Sequence, residues 1–557
     1  MEYTMMPIRV KGAQLLVSCL VKQGVKYVFG IPGAKIDAVF NALLDSPIKI
    51  ITCRHEQNAA FMAAIYGRIT GRPGVVLVTS GPGVSNLATG LLTATTEGDP
   101  VVAIGGNVAR SMKLKESHQS TDNVKLMEAV TKARMEVLLA DNIPEIIENA
   151  FRTATLPRNG AVFISVPQDV LTEETHSNAI NLTAEIKFGP APETILTQAA
   201  KYINEAKQPV LLLGLEASRP QNTAIIRQLL KQFPVATIST YQAAGVVSRE
   251  LVKCFVGRVG LFKNQPGDVM LDHADLVITV GYDPVEYDPE LWNTQQTKKI
   301  IHLDYNPSDI HAAYLPILEV IGDIAASTEK LIPLLNKNRK FDYDKLVRDL
   351  QSELESKINS GAKYNGKLMH PLRFIHDLRQ IIDDETTVIS DIGTHYMWLS
   401  RYLFSYQPHH LLFSNGQQTL GVALPWAIGT HFARPGKKII SISGDGGFLF
   451  SATELETAVR EKTPFVHCVW CDGKYDMVYE QELMKYHRGS AIEFGHVDIV
   501  KFAESFGAVG FRINSSDEFG EILKKALRHP GPVLIEVPID YSDNKELFIT
   551  THESVGH

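Results

Sequence analysis

Short apolar runs alternate with longer segments in which apolar residues recur at helical spacing. In the first third the runs are residues 25–29, 48–53, 75–79, 101–105 and 162–166, and the helical stretches between them include 57–70 and 84–95. Short runs rich in β-branched residues, without polar alternation, predict strands buried on both faces. Strands separated by helices predict a parallel sheet covered on both sides. Residues 173–194 are polar and contain Pro190 and Pro192, which predicts a linker. A second α/β unit follows, with strands over 210–213, 276–280 and 299–303, ending near Pro333. The charged stretch 337–363 predicts a surface helix leading into a second linker. The last third repeats the style of the first, with strands over 387–389, 410–413, 438–442, 465–470 and 533–537. The simplest account is an α/β protein of three doubly wound parallel-sheet domains, over 1–185, 190–345 and 366–557.

The chain has 557 residues, enough for several cores, and 45% hydrophobic against 21% charged residues is the mix of a globular protein. Lys and Arg total 55 against 62 Asp and Glu, a formal charge of -7 with no long basic run, so neither nucleic acid nor a membrane surface is an expected partner. No apolar run approaches the roughly 20 residues that cross a bilayer. The sequence MEYTMMPIRVKGAQLL lacks the charged, apolar and small-residue order of a secretory signal. The five cysteines, Cys19, Cys53, Cys254, Cys468 and Cys471, are scattered and odd in number, which predicts free thiols in a reducing cytoplasm. Cys468 and Cys471 have the spacing of a redox pair, but they lie within an apolar run, where strand packing explains them.

Chemistry is expected at the carboxyl ends of the strands, where open α/β sheets bind ligands. Residues 437–448 read KKIISISGDGGF, a strand running into Gly444-Asp445-Gly446-Gly447, with a helix expected to start near Ser451 or Thr453. Glycines let backbone amides approach a phosphate, and a helix N-terminus favours an anion. Asp445 is out of place beside phosphate unless a divalent cation sits between them, as magnesium does between carboxylates and a diphosphate. After Gly446 come 25 residues and then Asp472, at the end of the next strand. One strand–helix–strand crossover brings both strand ends to one sheet edge, so Asp445 and Asp472 can ligate one metal, with the Lys474 carbonyl as a third oxygen. A plain tight turn is the alternative for GDGG.

Two further stretches follow strands in the first third. Residues 50–60 read IITCRHEQNAA, which places Glu56 between an apolar strand and an alanine-rich helix. By itself Glu56 is a helix N-terminal glutamate favoured by the dipole. The loop TSGPGVSN, from Thr79 through Gly83 to Asn86, is by itself a strand-to-helix turn.

Together these stretches resemble the thiamine-diphosphate-dependent enzymes. GDG followed further on by Cys471-Asp472 resembles that family's cofactor motif, although many members carry Asn-Asn where this chain has Cys-Asp. RHE-x-x-A-A-x-M-A is similar to the acetolactate synthase branch. The resemblance runs from residues 29–37, FGIPGAKID, to 540–544, DYSDN. It implies a Glu56 that shares a proton with the cofactor's aminopyrimidine N1′. It also implies a first-domain loop (Pro32, Gly33, Thr79, Gly83, Asn86) facing the pyrimidine. The diphosphate and its metal fall to Gly444, Asp445, Gly446, Gly447 and Asp472, with Asp391, Gly393, Thr394 and His395 beside them. Gln417 and Leu420 lie on a further loop, Leu420 at the position that wedges between the cofactor's rings, although core packing explains it equally. Tyr475, Met477 and Val478 complete the expected cofactor contacts.

Within that family the chain is most similar to the catabolic acetolactate synthases that feed acetoin and butanediol formation. Lys35 lies in GIPGAKID, where it can attract a carboxylate or simply be solvated. Gln119 falls at an active-site glutamine position, after His118, which reads as a loop residue. Gln481 stands where biosynthetic relatives carry tryptophan, and it implies pyruvate as both donor and acceptor unless it is only a polar helix face. The string GYDPVEY over 281–287 lacks the arginines of flavin-binding relatives, so FAD is not expected. The implied reaction joins two pyruvates into 2-acetolactate and carbon dioxide through a hydroxyethyl-thiamine enamine. The implied assembly is at least a homodimer, commonly a homotetramer, without a regulatory subunit. The alternatives are a flavin-containing acetohydroxyacid synthase or pyruvate oxidase and, more remotely, a non-catalytic nucleotide-binding regulator. Flavin colour separates the first, and indifference to metal and thiamine diphosphate the second.

Overall fold

A computed structural model describes residues 9–113, 115–180, 186–337 and 339–548. It contains three six-stranded sheets, every one wholly parallel. The first has the order Lys49–Thr52, Tyr27–Ile31, Gly74–Val78, Val101–Asn107, Ala161–Pro167, Ala133–Glu136. The third repeats that order with Leu411–Leu412, Thr387–Ser390, Ile439–Gly444, Val466–Cys471, Val533–Pro538 and Val509–Arg512. The central sheet runs Phe255–Val259, Ala236–Thr240, Pro209–Leu213, Leu276–Val280, Lys299–Asp304, Leu318–Ile321. The middle strands are buried along their whole length, as Gly74–Val78, Val101–Asn107 and Ala161–Pro167 illustrate. Helices must therefore cover both faces.

Each order has an interior point where the connections leave neighbouring strands in opposite directions, and strand ends diverge there into a crevice. In the first sheet it lies between Tyr27–Ile31 and Gly74–Val78, and in the third between Thr387–Ser390 and Ile439–Gly444.

Several sequence expectations are corrected. The helix expected over 84–95 is two, Pro82–Ser85 and Ala88–Thr96. A helical segment does start after Ser451, as Ala452–Glu454 running into Leu455–Arg460, but a short helix that was not expected, Asp445–Leu449, precedes it directly from the strand. The stretch read as a linker over 173–194 contains Glu174–Thr175, paired antiparallel with Val10–Lys11, and a helix starting at Glu193; residues 181–185 lie outside the described ones. The charged stretch 337–363 forms Asp344–Asn359, with one apolar face buried through Val347, Leu350, Leu354 and Ile358. The strands Ala133–Glu136, Ala236–Thr240, Phe255–Val259, Leu318–Ile321 and Val509–Arg512 were not among the expected ones.

By contacts the chain forms two compact units. The first contains Met1–Glu185 together with Leu424–Gly436 and Ser451–Thr463; the second contains the rest. In the first unit, Gly429 lies against helix Glu56–Thr70 so closely that a Cβ there would come 2.6 Å from the Met62 carbonyl oxygen. The Tyr27 and Phe432 rings meet at 4.9 Å.

Candidate functional site

In the first unit, helix Glu56–Thr70 starts at Glu56, which is buried at 9% exposure. His55 caps the helix by accepting the Gln57 amide at 3.1 Å. The Asn86 side-chain amide donates to Glu56 Oε2 at 2.9 Å, and Gly83 faces Oε1, where a Cβ would lie 3.6 Å away. The fit around Thr79 is tighter still. A Cβ on Gly33 would fall 2.6 Å from the Thr79 Cβ, so only glycine lets the two strand ends close together. Thr79 Oγ1 is buried without a hydrogen-bond partner. Gln119 has a positive φ of 59° and its Oε1 accepts from the Ser80 hydroxyl at 3.3 Å. Pro32 is exposed, and Lys35 is half-buried with its backbone against Gly106. His118 is exposed. One crevice thus gathers Gly33, Thr79, Gly83, Asn86 and Glu56.

In the second unit, Gly444 pairs with Trp470 in register, so Asp445 and Asp472 leave adjacent parallel strands at the same edge. Asp445 accepts the amides of Gly446 at 3.0 Å and Gly473 at 2.9 Å. Asp472 Oδ2 is buried and has no hydrogen-bond partner. Burial, with Asp476 and Asp445 nearby, pushes Asp472 up to about 7, and burial also raises Asp445. A buried carboxylate oxygen without a donor is costly, and a divalent cation removes that cost. Among the described residues no three His, Cys, Asp or Glu side chains gather as a metal cluster. Remaining oxygens must therefore come from backbone, diphosphate or water, which suits magnesium. Gly446 allows close approach, since a Cβ would meet the Tyr475 ring at 2.6 Å.

Asp391, raised to about 7 by burial, accepts the Ile392 and Gly421 amides at 2.8 and 2.9 Å and braces the loop bearing Gln417 and Leu420. Gln417 is exposed, and Leu420 packs half-buried against the core. Gly393 has φ 147°, and a Cβ there would strike the His395 ring at 2.8 Å. His395 is fully buried, held neutral at about 3, with Nε2 unpartnered, and Gly447 lies beside the Asp391 carboxylate. The Thr394 hydroxyl donates to Asp476 at 3.0 Å. Met477 and Gln481 are four residues apart on helix Asp476–Tyr486, hence on one face, both half-buried; Val478 is 47% exposed. The Lys474 ammonium lies 3.3 Å from Asp476 and over the Tyr479 ring, while its backbone is the part expected to serve a metal.

Sequence reasoning missed three groups. Glu454 is buried in the first unit and its Oε1 accepts the Arg54 and His55 amides at 2.8 and 2.9 Å and the Asn58 side chain at 3.2 Å. Asn544 donates to Asp476 and accepts from Trp398 at 2.8 Å. Glu286, quoted only for what its neighbourhood lacks, accepts the Leu215 and Asp283 amides at 3.0 Å and the Thr240 hydroxyl at 2.5 Å. Each has partners distant in sequence, at Arg54, Trp398 and Thr240 among others, which local spacing does not reveal.

Comparison with known proteins finds three matching family descriptions: thiamine pyrophosphate enzyme, N-terminal TPP binding domain, over 10–127; central domain, over 196–331; and C-terminal TPP binding domain, over 391–537. The chain is 52% identical over 544 residues to "Acetolactate synthase" of Bacillus subtilis, covering 97% of this chain and 95% of that one. It is 45% identical to "Acetolactate synthase, catabolic" of Raoultella terrigena, covering 98% and 97%. It is 31% identical to "Acetolactate synthase isozyme 1 large subunit" of Escherichia coli, covering 96% and 94%.

Proposed function

Since the chain belongs to the thiamine pyrophosphate enzymes, and among them to the acetolactate synthases, we propose that it condenses two pyruvates into 2-acetolactate with release of carbon dioxide. The unpartnered Asp472 oxygen beside Asp445 supports the reading, because a buried carboxylate oxygen without a donor suits a diphosphate-bound Mg²⁺. Asp445, Asp472 and the Lys474 carbonyl would hold that ion. Gly444, Gly446, Gly447, Gly393, Thr394, His395, Asp391 and Gln417 would surround the diphosphate. Thiamine diphosphate, when bound, supplies a carbon nucleophile for a keto acid and an electron sink for decarboxylation.

The chain's own work is positioning and proton control. Glu56, steadied by Asn86, would hold a proton at the pyrimidine N1′. Pro32, Gly33, Thr79 and Gly83 would line the pyrimidine, and Leu420, Tyr475, Met477 and Val478 the rest of the cofactor. Gln481, Gln119 and Lys35 would orient the second pyruvate's carboxylate.

Flavin plays no part in this reading. Amides at the central sheet's reversal point are where a nucleotide phosphate would dock, and there both Glu286 oxygens lie 3.0 Å from the Leu215 amide. The reading further includes a homodimer at least, with a homotetramer its fuller form, no regulatory subunit, a cytoplasmic location and supply of acetoin formation. No helix among the described residues is long and apolar enough to cross a membrane.

The test is to supply purified protein with pyruvate, Mg²⁺ and thiamine diphosphate. Acetolactate from a colourless protein is the expected result. Acetaldehyde as product, no turnover, or near-stoichiometric flavin absorbance would overturn it.

A further inference from the structure

Glu56 is the first residue of its helix, and a helix start has amides that the helix itself cannot satisfy. Here their neighbours are satisfied from far along the chain. Glu454 is fully buried, and its Oε1 receives three hydrogen bonds, from the Arg54 amide at 2.8 Å, the His55 amide at 2.9 Å and the Asn58 side chain at 3.2 Å. These donors stand on both sides of Glu56 in sequence. The clamp is itself held. The Thr457 hydroxyl donates to Glu454 Oε2 at 2.7 Å, and the Ser451 hydroxyl donates to Asn58 Oδ1 at 2.8 Å. A buried carboxylate receiving this many donors is stiff, because each bond is charge-assisted. Glu454 also lies nine positions beyond Asp445, on the crossover that begins with the metal-side helix.

We propose that Glu454 is a positioning residue for the reaction, fixing the backbone around Glu56 so that its carboxylate meets the cofactor's pyrimidine nitrogen. The inference rests on the role given to Glu56 above. A capping role alone would stabilise the fold without affecting proton transfer; a positioning role makes the effect of Glu454 depend on Glu56. Misplacing a catalytic group by about 1 Å costs about 10²-fold in rate.

The experiment is a double-mutant cycle with Glu454→Gln and Glu56→Gln in the full chain, joined to amide hydrogen exchange of the cofactor-free protein. Glu454→Gln is expected to lower kcat about 10²-fold, leave the pyruvate KM unchanged and speed exchange across residues 54–58. In the Glu56→Gln background it should cost almost nothing further. Equal fold losses in both backgrounds, or unchanged exchange at 54–58, would overturn the proposal. Full activity of Glu56→Gln alone would instead sink the role of Glu56. Should Glu454→Gln not fold, Glu454→Asp, which keeps the charge but shortens the reach, goes through the same cycle.

Discussion

Asp472 is a residue whose local sequence and surroundings point to different partners. Its sequence neighbours are an apolar strand, yet one of its oxygens ends buried without a donor, beside Asp445. Replacing Asp445 by Asn should raise the Mg²⁺ needed for half-maximal turnover roughly tenfold or more, because a charged oxygen ligand is lost; a metal titration of activity reads this. Asp472→Asn should behave differently. It keeps an oxygen ligand and removes a buried, repelled charge, so the melting temperature of the metal-free protein should rise while turnover persists. A drop in that temperature would contradict the picture of Asp472. Glu56→Gln should cost about 10²–10⁴ in rate with an unchanged melting temperature, read by acetolactate formation and thermal denaturation. Asp445 and Asp472 stood out because each follows a strand end within a short string, whereas Glu56 by itself reads as a helix N-terminal glutamate and stood out only through the family resemblance. Glu454 did not, since it lies 400 positions from the Arg54 amide it accepts. The bond from the Thr394 hydroxyl to Asp476 was hidden for the same reason, the two being 82 positions apart.

Buried central strands were visible as uninterrupted apolar runs, and their observed bounds fall within a few residues of those expected. The strands that escaped include edge strands such as Ala133–Glu136 and Val509–Arg512, whose residues are mostly half-exposed and polar at intervals, so they lack that pattern. Strand Val466–Cys471 carries a consequence for pH. His467 is fully buried on it, with ring nitrogens 2.7 and 2.8 Å from the Ser441 and Ser443 hydroxyls, and burial, aided by nearby His395, holds it at about 3 rather than 6.5. The unfolded chain therefore binds more protons than the folded one between those values. Stability present above about 6.5 is lost as the pH falls toward 3, by up to about 1.4 kcal/mol per pH unit for this histidine. His467→Gln should flatten the acid limb of a plot of melting temperature against pH; an unchanged slope would remove His467 as its source. Helix Ala423–Ala433 offers a test of packing. Gly429→Ala would drive a methyl into the Met62 carbonyl, and overpacking of this kind costs about 1–3 kcal/mol, which chemical denaturation would register.

At the scale of the molecule, the three parallel sheets follow from the alternation of apolar runs and helical segments, and the kinship of the first and last thirds in their common strand order. What that alternation hides is where each stretch of chain packs. The first compact unit is built from Met1–Glu185 plus two stretches, Leu424–Gly436 and Ser451–Thr463, taken from the last third. One brings Gly429 and Phe432 against the first sheet's helix and strand, and the other brings Glu454 to the turn before Glu56. The compact unit that bears Glu56 is therefore not a cassette. A gene fragment ending at residue 185 would encode a body with a missing wall and an unsatisfied helix start, and recombination that exchanged only the opening third between relatives would separate Glu56 from the carboxylate that braces it.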